Sequence, residues 1–195
     1  MASETHKDHK QLNVLVPLAQ GCEELEAVTI TDLLTRAGMK VVTVGLDSNP
    51  VKASRGMVLM PETTIDNVMN QDFDLMVLPG GLPGADHLQE NPKIQDKLRS
   101  MASANKKIAA ICAAPKALAS AGLLDGKKFT SYPGSTDGCE IVDMKYSENS
   151  VVIDGNIITS RGPGTAMDFA LTLIEELLGK AKRHEVEAPL MRPKS

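Results

Sequence analysis

Lys107-Ile-Ala-Ala-Ile-Cys-Ala-Ala-Pro115 runs from an apolar strand through a cysteine into an alanine-rich helix start. A turn from strand into helix pushes one side chain out at the carboxyl edge of a sheet, and the helix start leaves unpaired backbone N–H groups beside it. Here that side chain is the thiol of Cys112. Ala110, Ala113 and Ala114 keep the turn compact, as glycines do around an exposed serine nucleophile. Amides and a helix dipole favour a thiolate and a developing oxyanion alike, so the stretch predicts a Cys112 thiolate pKa below 7. The plain reading is a small buried hydrophobe, the usual fate of a free cysteine.

Outward from this elbow the same pattern repeats. Strands are expected at Leu12–Leu18, Lys40–Leu46, Phe73–Leu78, Lys107–Ile111 and Asn156–Ser160. Helices are expected at Glu23–Ala37, Pro92–Ala104, Pro115–Ala121 and Thr165–Leu178, with Gly38, Gly122 and Gly179 as stops. Continuous apolar strands alternating with helices predict an α/β domain with a mostly parallel sheet covered on both faces. Gly56–Met60 and Val151–Ile153 read as hairpin partners at an edge, and Asp137–Glu148 as irregular. Residues 12–179 form the expected domain. The charged ends, Met1–Gln11 and the extension Lys180–Ser195, are expected to be the least ordered parts.

The 195 residues are 42% hydrophobic and only 3% aromatic, with no Trp, so the core must be aliphatic. Met57, Met60, Met69 and Met76 read as core filler. A net charge of -4 and few aromatics argue against nucleic-acid binding and for a small metabolite or a protein partner. Cys22, Cys112 and Cys139 are too few and too widely spaced for a disulfide framework or zinc site, and no cofactor or metal is expected. Residues Met1 to Lys10 have no apolar signal-peptide core, and no apolar run reaches the roughly 20 residues of a membrane helix. The reading is a cytoplasmic protein with reduced thiols and no membrane contact.

A second candidate comes from Gly21-Cys-Glu-Glu-Leu-Glu26. Glu23 and Glu24 open a helix, where the dipole favours negative charge. Glu26 falls instead on the stripe of Cys22, Ile30, Leu33 and Ala37, the face that should meet the sheet. A carboxyl there loses hydration, its pKa rises, and it can hold or pass a proton beside a thiol. The other reading is a Glu at the rim of the helix. In Leu78-Pro-Gly-Gly-Leu-Pro-Gly84, Gly80 and Gly81 form either a plain turn or an amide-lined crevice; neither phosphate-binding glycine pattern is present. Arg161, in Thr159-Ser-Arg-Gly-Pro-Gly-Thr165, holds an anion, a neighbouring loop or a structural ion pair, and Arg55 has the same readings. His6, His9, His87 and His184 show no spacing that ties them to Cys112.

Taken together, Gly21–Glu26, Leu78–Gly81, Ala109–Pro115, Tyr146-Ser-Glu-Asn149 and Thr159–Thr165 resemble the ThiJ/PfpI superfamily, and within it the deglycase branch. The resemblance implies a flavodoxin-like sandwich that forms a homodimer. It implies Cys112 as nucleophile, Glu26 as the acid bonded to it, and Gly80, Gly81 and the Ala113 backbone on the oxyanion side. Arg55 and Arg161 match arginines near a pocket lined by the dimer. Ala113 stands where the protease-like branch has His, which disfavours a peptidase. Tyr132 stands where some deglycase-branch members have a pocket His. The implied activities are glutathione-independent conversion of methylglyoxal or glyoxal to 2-hydroxy acids and repair of glycated proteins. The alternative they imply is a redox-sensing chaperone whose cysteine is oxidised to sulfinate.

Overall fold

Strand and helix alternate along the computed structural model, which describes residues 11–193. The elements are β1 (Asn13–Leu18), α1 (Glu24–Arg36), β2 (Lys40–Gly45), β3 (Val51–Lys52), β4 (Val58–Leu59) and β5 (Thr63–Thr64). After a 3-10 turn come β6 (Leu75–Leu78), α2 (Gly84–Glu90), α3 (Pro92–Ser103), β7 (Lys107–Ile111) and α4 (Pro115–Ser120). The chain continues through β8 (Lys128–Phe129), β9 (Lys145–Tyr146), β10 (Val151–Asp154), β11 (Ile157–Ser160), α5 (Ala166–Leu178) and α6 (Lys180–Glu187).

Seven strands form the main sheet in the order β10-β11-β7-β6-β1-β2-β5. All neighbours run parallel except β10, which folds back antiparallel on β11. The central order β2-β1-β6-β7-β11 is the doubly wound arrangement, in which the chain reverses direction of growth between β1 and β6. Alternation along each strand feeds two cores. Val14, Val16, Leu75, Val77, Ala109 and Ile111 pack towards α1 and α5, while Leu15, Met76, Leu78, Ile108 and Ala110 pack towards α2, α3 and α4. Burial on both faces is why these strands read as unbroken apolar runs.

The five expected central strands and four expected helices form within two residues of their expected bounds. Three expectations are corrected. Lys180–Ser195 is not loosely ordered along its described length, because α6 docks on α5. Val186 is buried there, Arg183 Nη1 lies 2.6 Å from Glu175 Oε2, and Arg192 Nη2 lies 2.6 Å from Asp168 Oδ1. Its high charge hid a narrow apolar contact. Met57 and Met60 are exposed rather than core, while Met76 is fully buried. The β3–β4 hairpin makes its own two-stranded sheet instead of an edge. Helix α2, which carries His87, has only seven residues, too few to bound from a period. The segment 137–148 is irregular apart from β9, which pairs parallel with β8. Of the expected N-terminal tail, residues 1–10 lie outside the described residues.

Candidate active site

Three connections leave the carboxyl ends of neighbouring strands and meet at one point. β1 leads to Gly21–Glu26, β6 to Gly80–Gly84, and β7 to Cys112. The elbow after β7 is held on three sides. The Cys112 N–H donates to Ser160 O at 3.0 Å, the Tyr132 N–H donates to Cys112 O at 2.8 Å, and Ala114 N–H donates to Ile111 O at 3.0 Å. Cys112 takes a φ of 62°, the left-handed region that residues with a Cβ seldom enter. Such a conformation persists only where surrounding bonds over-determine it, and it turns the side chain away from the strand.

Glu26 is fully buried, as its place on the apolar stripe of α1 predicts. Its Oε2 accepts the Gly80 N–H at 2.8 Å, and the carboxyl stands beside the Cys112 thiol. Oε1 is buried without an N–H or O–H donor. Gly80 has to be glycine. A Cβ there would sit 2.6 Å from Cys112 Cβ, 2.8 Å from Ile111 O and 2.9 Å from Glu26 Oε2. Gly81 adopts φ 87°, and a Cβ on it would meet Glu23 N at 2.4 Å. Stripped of side chains, this loop brings the Gly81 N–H to the Cys112 sulfur, which the Ala113 N–H also reaches.

The expectation of a thiolate pKa below 7 is corrected. Burial first, then the charge of Glu26, push the Cys112 thiol up to about 12, against the two backbone amides. Helix α4 spans only six residues, under two turns, so local amides rather than a long helix face the sulfur. Burial likewise pushes Glu26 up to about 7, against the Gly80 amide and the thiol. Two acids in one dry place resist holding two negative charges. Burial thus raises both groups, and ionising one makes ionising the other harder. A pair that holds one charge at a time presents one anion and one shared proton, which is the equipment of a nucleophile with its own base.

Cys112 is 8% exposed and opens into a cavity of about 550 Å³. Gly81, Ala113, Arg55 and Tyr132 line the cavity with it, and Glu23, Ser54, Leu82, Pro133, Ser135 and Pro163 complete most of the wall. Arg161 is not brought into this cavity. It lines an adjoining groove, and its Nη1 donates to Glu148 O at 2.8 Å. Arg55 projects into solvent, with Nε 4.0 Å from Glu23 Oε2.

Sequence reasoning gave Glu23 only a helix-opening role and passed over Ser54 and Ser135. Glu23 is buried in the wall and accepts the Ser54 hydroxyl at 2.8 Å; it is the N-cap of α1, and its place three residues before Glu26 was a usable signal. Ser135 reaches Cys112 O at 3.4 Å only because the Tyr132 segment folds back over the elbow, and no local signal marks it. Among the described residues there is no group of three His, Cys, Asp or Glu side chains that could hold a metal. Nor is any helix among them long and apolar enough to cross a membrane.

Residues 12–176 match the model of the DJ-1/PfpI family. The chain is similar to the fruit fly (Drosophila melanogaster) protein dj-1beta, with 46% identity over 92% of this chain and 96% of the relative. The crystal structure of Drosophila melanogaster DJ-1beta superposes with a TM-score of 0.89 at 45% identity, covering 94% of this chain and all of that one. A Caenorhabditis elegans relative named glutathione-independent glyoxalase DJR-1.2 is 35% identical over 93% of this chain and 96% of its own.

Proposed function

The chain belongs to the DJ-1/PfpI family, and from that membership we propose that it is a cysteine-dependent, glutathione-independent glyoxalase acting on 2-oxoaldehydes such as methylglyoxal and glyoxal. One observation carries the reading. A fully buried carboxyl, Glu26, stands beside a thiol on a strained elbow at the foot of a cavity. The glyoxalase name of the Caenorhabditis elegans relative supports the same chemistry.

In the proposed reaction the Cys112 sulfur adds to the aldehyde carbon as Glu26 takes the thiol proton. The new oxyanion lies near the Gly81 and Ala113 amides and collects a proton to give a hemithioacetal. Glu26 then moves a proton from the former aldehyde carbon to the neighbouring one, and the hemithioacetal hydroxyl proton passes to the neighbouring carbonyl oxygen. The first carbon is thereby oxidised to a thioester and the second reduced to an alcohol, so no external redox partner is needed. Water cleaves the thioester, returns the thiol and releases lactate or glycolate. A cavity of about 550 Å³ exceeds what methylglyoxal fills and has room for a glycated side chain. Purified protein mixed with methylglyoxal, without glutathione, should form lactate; turnover no higher than that of a Cys112→Ala control removes the reading.

A redox-sensing role is the second reading. The Gly81 and Ala113 amides that face the sulfur are equally suited to sulfinate oxygens. Graded peroxide should then add two oxygens to Cys112 before Cys22 or Cys139, and preferential oxidation elsewhere contradicts it. A homodimer is the proposed assembly. Leu25 and Val28 stand exposed on α1 beside exposed Met57, Val58 and Met60, and the Glu24 carboxylate ties the two segments through the Arg55 and Met57 amides.

A further inference from the structure

The groove beside Arg161 is separate from the cavity of Cys112 yet shares a wall with it. Ser160 pairs with Ile111, so Arg161 follows β11 where Cys112 follows β7, on adjacent strands roughly 4.8 Å apart. The groove measures about 330 Å³, and Tyr132, Pro133 and Pro163 line both spaces. Tyr132 is 53% exposed, and its hydroxyl has no hydrogen bond among the described residues. Its backbone N–H is fixed to the Cys112 carbonyl. One aromatic side chain therefore borders both compartments.

The groove also holds an uncompensated cation. Arg183 and Arg192 each have carboxylate partners at 2.6 Å. Arg161 has only the Glu148 carbonyl, and no carboxylate lies within 4.0 Å of it among the described residues. A guanidinium offers five N–H donors in a fork that fits a carboxylate, and one bond to a carbonyl leaves most of them free.

We propose that the Arg161 groove is a second subsite, which binds the carboxylate tail of a substrate whose carbonyl head sits at Cys112. The substrate class is then a 2-oxoaldehyde that carries a carboxylate beyond a short spacer, with the spacer lying along Tyr132. The head-group chemistry rests on the proposed reaction; the subsite itself does not.

The test is therefore alkylation rather than turnover. Iodoacetanilide and its 3- and 4-carboxylated forms each react with a thiolate, which displaces iodide. Rates at Cys112 are followed by peptide mass and divided by each probe's rate with free cysteine. One carboxylated isomer should outpace the neutral probe by at least about threefold, the size expected of a half-exposed ion pair. Arg161→Gln should bring that ratio to about one, and Arg161→Lys should retain part of it. A ratio near one in the parent, or one unchanged in Arg161→Gln, overturns the subsite. Should Arg161→Gln slow the neutral probe as well, salt decides on the parent alone. The preference must then fall as sodium chloride rises, and a salt-independent ratio overturns the proposal. Absence of lactate from methylglyoxal, which has no tail, speaks only against the proposed reaction.

Discussion

At Cys112 and Glu26 one proton has two owners, and that sharing sets the chemistry of the site. Because Glu26, raised to about 7, must ionise before it can take the thiol proton, alkylation of Cys112 should rise through pH 7 and then level off. Glu26→Gln removes the base, so the thiol must ionise alone against burial. The rise should move above the ordinary thiol value, and the rate at pH 7 should fall about tenfold or more, since each pKa unit is a factor of ten. An unchanged profile in Glu26→Gln would show that the carboxyl does not govern the sulfur. The same group affects stability. Glu26 is raised from 4.5 to about 7 on folding, so the native state binds its proton more tightly than the unfolded chain does. That contribution is present below 4.5 and is lost as pH rises to 7, at a cost of about 3 kcal/mol. Urea titrations across this range should therefore show Glu26→Gln gaining on the parent by about that much, and parallel curves would refute the linkage.

Elements position these groups more than they create them. The glycine loop after β6 works by lacking side chains. Gly80→Ala should cost about 1–3 kcal/mol by crowding Cys112, Ile111 and Glu26, and should slow Cys112 alkylation while leaving the strands intact. Denaturation midpoints together with alkylation rates check both halves. Helix α6 makes the opposite point, since its charges are conspicuous and its packing is not. Val186→Ala should cost about 1–2 kcal/mol through lost apolar contact. Arg192→Ala, which gives up a pair with Asp168 that is partly open to water, should cost about 0–1 kcal/mol. Equal costs, or the reverse order, would mean that charge rather than packing docks this helix.

For the whole molecule, the exposed apolar residues of α1 and β4 predict a partner, and a second copy of the chain is the proposed one. Light scattering on the eluted protein should give twice the chain mass. Val58→Glu or Leu25→Glu should shift it to a monomer that keeps its far-ultraviolet circular dichroism. A parent that elutes as a monomer at micromolar concentration removes the dimer.

The chain itself determined the doubly wound layers, the elbow at Cys112 and the burial of Glu26, because each is written in short-range periodicity. Apolar runs make covered strands, and a carboxyl spaced with Ile30 and Leu33 has to face what they face. Tertiary structure alone decided that Glu23, Ser54 and Ser135 join the wall of the cavity and that Arg161 does not. It also decided that α6 packs, that Met57 and Met60 stay outside, and that the thiol is raised rather than lowered. These outcomes depend on which loops meet at the carboxyl edge of the sheet and how much water they exclude. Desolvation and charge coupling act through space, so residues far apart along the chain set each other's protonation without leaving a local mark.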